Sequence, residues 1–140
     1  MMKKPQRVLF LCEGNADRSQ MAEALLKHYG GKAYEVHSAG LEPRMIDPLA
    51  IVAMQEMGID ISGQREKHLN EYMEMQFDYV ITLCEQVKSS CLAFPRDAHV
   101  LHWQCNDPGQ SKGTEDVRLS AFRQSANSLS GKIQEWINHP

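Results

Sequence analysis

The junction between residues 8 and 18 constrains this chain more than any other segment. Val8, Leu9, Phe10 and Leu11 form a short apolar run, and the segment Cys12-Glu13-Gly14-Asn15-Ala16-Asp17 leads from it into a stretch with helical spacing. Consecutive apolar residues without polar alternation describe a strand buried on both faces, as in a parallel sheet. From Arg18 to Tyr29, the residues Met21, Ala22, Leu25, Leu26 and Tyr29 recur every three to four positions, and Gly30-Gly31 close the helix. A buried strand, a glycine-bearing loop and a helix in this order form half of a parallel crossover unit.

The unit recurs along the chain. Tyr34 to Ser38 reads as a second strand broken by Ala39-Gly40. Asp47-Pro48 opens a second helix, with Pro48 in its first turn. Ile51, Val52, Met54 and Met57 are its expected apolar side, and Gly58 ends it. A shorter helix is expected around Leu69 to Met75, and Tyr79 to Leu83 reads as a third strand. Val100 and Leu101 with Trp103 mark a fourth, and Gly109 to Gly113 a polar loop. The last helix runs from about Glu115 to Ile137, with Phe122, Ala126, Leu129, Ile133 and Trp136 at helical spacing. Strands alternating with helices predict an α/β fold: a four-stranded parallel sheet in a three-layer α/β/α sandwich with right-handed crossovers. Ligands in such sheets bind beyond the carboxyl ends of the strands. The loops starting at Cys12, Ala39, Cys84 and Cys105, together with Asp107, are therefore expected on one rim.

No repeat or linker divides the 140 residues, so a single domain spanning 1–140 is expected. No apolar stretch approaches the roughly 20 residues of a membrane span. The apolar run after the basic first seven residues is too short for a signal peptide, which predicts a cytoplasmic protein. The net charge of −3, with acids and bases interspersed, excludes a nucleic-acid-binding stripe and a membrane-binding helix. A monomer is expected. The four cysteines, Cys12, Cys84, Cys91 and Cys105, show no C-x2-C spacing, which argues against a zinc ribbon. In a cytosolic chain they point to redox, catalysis or metal binding rather than to a disulfide framework. No cofactor and no metal centre are called for.

The first loop carries the chemistry. A loop that wraps from a strand into a helix can turn successive backbone N–H groups inward and make a nest for an anion at the helix N-terminus. Glu13, Gly14, Asn15, Ala16, Asp17 and Arg18 are the candidate oxyanion-binding residues. Gly14 is expected to supply unusual backbone angles. Asn15 tolerates a left-handed conformation and can hydrogen-bond the loop to itself. Arg18 offers a planar fork to two anion oxygens. Cys12 at the mouth of this field is expected to have a lowered pKa, with Ser19 donating a hydrogen bond to its thiolate. Asp17 fits less well, because an inward carboxylate would oppose an anion and raise the Cys12 pKa. It is expected to point outward and cap the helix. Asp107 lies in Asn-Asp-Pro-Gly, a turn signal in its own right.

Several motifs together resemble a known family. Cys12 to Glu23 (CEGNADRSQMAE), Ser38-Ala39-Gly40, Thr82-Leu83-Cys84 with Cys91, and His102-Trp103 followed by Asp107-Pro108 resemble the thioredoxin-coupled arsenate reductases. That family shares its fold with the low-molecular-weight protein tyrosine phosphatases. Gln20 stands where the phosphatases usually have Pro after Arg-Ser, and Gly109 where they favour an aromatic after Asp-Pro. Cys84 and Cys91 occupy the reductase's redox positions. The resemblance implies that Cys12 attacks arsenate, for which phosphate or sulfate would be analogues, held by the loop and Arg18. Asp107 acts as general acid, and a Cys12–Cys84 disulfide passes to Cys84–Cys91 before thioredoxin reduces it. Glutaredoxin is the other candidate donor. By spacing alone, a strand-end Cys84 and a helix-packed Cys91 would be the better account, since seven helical residues separate them by about 10 Å. Cys105 has no task in the implied mechanism and is expected to be a packed thiol.

The alternative enzyme reading is a phosphatase that hydrolyses phosphate monoesters through a phosphocysteine. A thiol-based arsenic sensor would leave Asp107 without a task. Some family members bind potassium beside the loop through side chains matching Asn15, Glu23 and Ser38. Here the later segment brings Lys67 or His68 to the position of the fourth ligand, so the Lys67 ammonium is expected to replace the cation and pair with Glu23; the alternative is a solvated charged turn.

Overall fold

A computed structural model of the chain describes residues 4–85 and 98–139. Within these residues the elements are β1 (Gln6–Cys12), α1 (Arg18–Gly30), β2 (Tyr34–Gly40), α2 (Pro48–Glu56), β3 (Tyr79–Thr82), β4 (His99–His102) and α3 (Glu115–Asn138). The strands form one parallel sheet in the order β2-β1-β3-β4. β1 lies inside the sheet, and Val8, Leu9, Phe10 and Leu11 are at most 1% exposed. Successive strand residues point to opposite faces, so complete burial of all four means that both faces of the sheet are covered. This is the expected sandwich. On one side of α3, Phe122, Ala126, Leu129 and Ile133 are buried, and this helix packs on α1 and α2. Trp103, just past β4, brings its ring to 6.0 Å from those of Phe10 and Trp136. Among the described residues no helix is long and apolar enough to cross a membrane.

Three elements depart from the pattern read in the sequence. β2 does not break at Ala39-Gly40 but continues through both, and Gly40 pairs with Cys12. A Cβ on Gly40 would lie 2.7 Å from Asn15 N and from Glu13 O. This glycine marks a close backbone approach, not a strand stop. α2 buries Leu49, Ala50, Ala53 and Met54, whereas Val52 is 38% exposed and Ile51 and Met57 are half-buried. Asp47 accepts a hydrogen bond from Leu49 N–H, which caps the helix, and the two alanines on its buried side allow it to sit close to its neighbours. The segment around Leu69 forms only a short 3-10 turn, Leu69–Tyr72. His68 Nδ1 accepts from Asn70 N–H there, and Glu71 accepts from His68 N–H.

The Gly40 contact generates a test. The methyl of Gly40→Ala would meet loop backbone, which cannot swing aside as a flexible side chain can. The variant is expected to lose about 1–3 kcal/mol of stability through overpacking. It should also lose most of the rise in thermal midpoint that added sulfate gives the unchanged protein. Thermal denaturation with and without sulfate reads both.

Candidate active site

β1 delivers Cys12 to the carboxyl end of the sheet, and α1 begins at Arg18 with Asp17 as its N-cap. Between them Asn15 has φ 50°, the positive φ of a non-glycine residue among the described ones. Its side chain ties the loop together. Nδ2 donates to Ser19 Oγ at 2.7 Å, and Oδ1 accepts from Lys67 N–H at 2.8 Å and from Gln20 Nε2 at 2.9 Å. The loop carbonyls of Glu13, Gly14 and Ala16 accept from the backbone N–H groups of Glu42, Arg44 and Asp47, each at 2.9 Å. Carbonyls engaged in this way do not point into the loop, as an anion nest requires. Gly14 serves a different purpose from the one expected. It is not among the glycines with positive φ. Its missing Cβ makes room for the Arg44 guanidinium, whose Nη2 would lie 2.5 Å from such an atom.

Cys12 is 1% exposed, with its Sγ 2.8 Å from Ser19 Oγ. The expected fall in its pKa is overturned. Burial pushes the thiol up and the nearby Asp17 charge adds to this, while the Ser19 hydroxyl and the Arg18 charge oppose them. Ser19 is therefore the principal side-chain support of the thiolate.

Arg18 is buried at the meeting of three elements. Its Nη1 donates to Cys105 O at 3.0 Å, and its Nη2 lies 3.6 Å from Asp107 Oδ2. Its Nε, 3.5 Å from Asp17 Oδ1, has no hydrogen-bond partner, the one such buried side-chain nitrogen or oxygen among the described residues. An orphaned guanidinium N–H in a buried site suits an acceptor brought by a ligand. Glu13, Arg18, Cys84, Cys105 and Asp107 line one cavity of about 300 Å³. The structure thus brings Cys84, Cys105 and Asp107 to the rim where the strand-end rule put them. Cys91 lies outside the described residues. Cys105 is packed, its Sγ 3.5 Å from Ser125 Oγ, and burial pushes its thiol up. Asp107 Oδ1 accepts from Gly109 N–H at 2.9 Å, so it is also the expected turn residue.

Asp17 caps α1 as expected, accepting from Arg18 N–H, but it does not point outward. It is 7% exposed and faces Asp107. Burial, and then the Asp107 charge, push its pKa up to about 6. The Asp107 loop folds back over α1, and no local pattern around Asp17 encodes that.

Beside the loop, Lys67 Nζ lies 3.2 Å from Glu23 Oε1. Ser38 Oγ donates to the same oxygen, and Lys27 Nζ lies 2.6 Å from Oε2. Lys67 is the residue that meets Glu23, while His68 caps the neighbouring turn. Burial alone would raise the Glu23 pKa, but the Lys67 charge, helped by Lys27 and Ser38, holds it below the usual carboxylate range. Gln20, read in the sequence only as a departure from Pro, is fully buried and donates to Asn15 O and Arg65 O. Gln64 donates to Gln20 in turn. Arg44, Gly40, Gln20 and Gln64 are support residues that sequence reading missed. A glycine just past a strand was the one available signal.

The family model for low molecular weight phosphotyrosine protein phosphatases matches residues 7–137. The chain belongs to this family. Within it, the chain is 37% identical over 129 residues to an arsenate reductase of Halalkalibacterium halodurans, covering 92% of this chain and 93% of that one. Among solved structures it is similar to the low molecular weight protein tyrosine phosphatase of T. tengcongensis, with a TM-score of 0.81 and 28% identity over 96% of this chain and 99% of that one. It is also similar to a thioredoxin-dependent arsenate reductase of Corynebacterium glutamicum, with a TM-score of 0.65 and 33% identity over 96% of this chain and 64% of that one.

Ser19→Ala should move the pH midpoint of Cys12 alkylation upward, read with iodoacetamide in protein whose other cysteines are serine. An unchanged midpoint would show that the hydroxyl does not hold the thiolate. Lys67→Met should leave the buried Glu23 carboxylate with only Lys27 and Ser38 as partners and cost about 1–3 kcal/mol at neutral pH, read by urea denaturation. Because the Glu23 pKa is depressed on folding, its contribution is complete above its ordinary value of 4.5 and is lost as pH falls through its lower folded value. The two proteins should therefore converge in stability on acidification.

Proposed function

We propose that this chain reduces arsenate to arsenite, with Cys12 as nucleophile and thioredoxin as the reductant. The supporting observation is that Cys84 lines the same cavity as Arg18 and Asp107. A phosphatase needs a nucleophile, an arginine and an acid, and has no use for the Cys84 thiol beside that arginine and acid. The kinship with proteins named arsenate reductase agrees with this reading.

The chemistry runs in three exchanges. The Cys12 thiolate attacks arsenic in the loop, with Arg18 and Ser19 compensating charge. Asp107 protonates the departing oxygen, which leaves as water as the sulfur–arsenic bond forms. The Cys84 thiolate then attacks the Cys12 sulfur. A disulfide forms, the sulfur–arsenic electron pair moves to arsenic, and arsenic(V) leaves as arsenite. Cys91 next attacks Cys84 and frees Cys12, and the dithiol of thioredoxin reduces the Cys84–Cys91 pair. A cytoplasmic setting would keep these thiols reduced between turnovers.

The second reading is phosphate monoester hydrolysis, favoured by the likeness to a solved phosphatase. The same loop and the same acid serve it, with an alcohol as leaving group. One variant separates the two. Cys84→Ser should abolish arsenate-dependent NADPH consumption in the presence of thioredoxin and its reductase, while slow hydrolysis of p-nitrophenyl phosphate persists. Full arsenate turnover by that variant would overturn the proposal, and replacing thioredoxin with glutaredoxin in the same assay identifies the donor.

A further inference from the structure

The loop contains a carboxylate that the proposed reaction does not use. Asp17 Oδ1 is taken up by Arg18 N–H, so its other oxygen is left facing the Asp107 loop. Asp107 Oδ1 is held in the same way by Gly109 N–H. The two side chains converge on Gly109: Asp17 Oδ2 and Asp107 Oδ1 each lie 3.2 Å from where a Cβ on that glycine would sit. A side chain at position 109 would crowd both. The two carboxylates also flank one guanidinium, with Asp17 Oδ1 3.5 Å from Arg18 Nε and Asp107 Oδ2 3.6 Å from Arg18 Nη2.

Charge decides what such a pair does. Two ionised carboxylates face one Arg18 cation. Bringing a dianion to the same guanidinium leaves like charges close together in a buried site, and the cheapest relief is one proton on the pair. We propose that Asp17 is the proton partner of Asp107: when a tetrahedral dianion fills the loop the two carboxylates take up one proton and share it, and Asp17 keeps it where Asp107 can pass it to the departing oxygen. This rests on the reading of the loop as an oxyanion site with Asp107 as its acid. Asp17 touches no reacting atom and is a positioning residue.

The other charged groups around the pair fit this assignment. From α1, Arg18 and the helix N-terminus favour the charged form of Asp17. From the end of β1, the Cys12 thiol is itself pushed up by burial and stays neutral beside it, and the Cys105 thiol after β4 does likewise. Arg44 and Asp47, from the segment after β2, line a second cavity shared with Asp17 and Asp107. Glu13 and Glu85 line the Arg18 side of the site. Burial and the Asp107 charge outweigh the favourable groups and bring the titration of Asp17 to about 6, near enough to neutrality for a bound dianion to complete its protonation. The proton balance closes. The Cys12 thiol first gives its own proton to solvent and attacks as the thiolate; the shared proton then leaves with the arsenate oxygen as water, two carboxylates remain, and the pair recovers its proton from solvent with the next anion.

The test uses inorganic sulfate, a dianion with no proton to exchange near neutrality. Its binding is followed calorimetrically at pH 7 in buffers of different ionisation enthalpy. The unchanged protein should take up close to one proton per sulfate, and Asp17→Asn close to none. Asn is as good a helix cap as Asp, so the variant keeps the fold. In the same variant the basic limb of kcat for p-nitrophenyl phosphate should move to lower pH, which a purely structural role for Asp17 would not cause. Failure of sulfate to bind the unchanged protein would overturn the oxyanion site itself and the pair with it. Sulfate binding without proton uptake, or equal uptake by Asp17→Asn, would overturn the shared proton alone.

Discussion

The site depends on the side-chain amide of Asn15. With its backbone in the left-handed region, this residue turns the loop between Cys12 and Arg18, and its amide closes that turn on three sides. The Nδ2 bond to Ser19 orients the hydroxyl that meets Cys12 Sγ. The Oδ1 acceptor holds Gln20 and the backbone of Lys67, and through Lys67 it connects to the buried carboxylate of Glu23. A residue without both a donor and an acceptor at that reach would leave the hydroxyl, the glutamine and the lysine segment without their common anchor. Nucleophile support and local stability therefore share one part.

The sheet comes from an ordinary source, and its burial sets the electrical problem of the site. Because β1 is covered on both faces, its last residue emerges from a dry core. Cys12 inherits that dryness, and the resulting desolvation outweighs Ser19 and Arg18. The same argument applies to Asp17. A fold that delivers a nucleophile from the centre of a buried sheet must then supply polar partners to make it ionisable. Here they come from the first turn of α1, as the Ser19 hydroxyl and the Arg18 guanidinium.

The sequence was most legible where a rule acts locally. The apolar run of β1, the spacing in α1 and α3, and the positive φ of Asn15 follow from neighbouring residues alone. The shared rim of Cys84, Cys105 and Asp107 follows from the strand order. What escaped reading was set by segments far away in the chain. Gly14 looked like a residue of unusual backbone angles, but Arg44 lies over it. Gly40 looked like a strand stop, but loop backbone lies against it. The inward turn of Asp17 depends on the Asp107 loop, and the buried face of α2 on its packing against α3. The motif defined the chemistry available, and tertiary contact decided the charge states.

The three backbone bonds from residues 42–47 to the loop carbonyls have a further consequence. The eight residues from Cys12 to Ser19 are contiguous in sequence but not self-sufficient as a part. Their curvature is held by a segment beyond β2 and by Lys67, so the loop grafted alone onto another strand and helix would bring its side chains without its shape. In evolution, or in engineering, the transferable unit is the set of remote segments that grip one another, and exchanges between relatives should respect that set before they respect the motif.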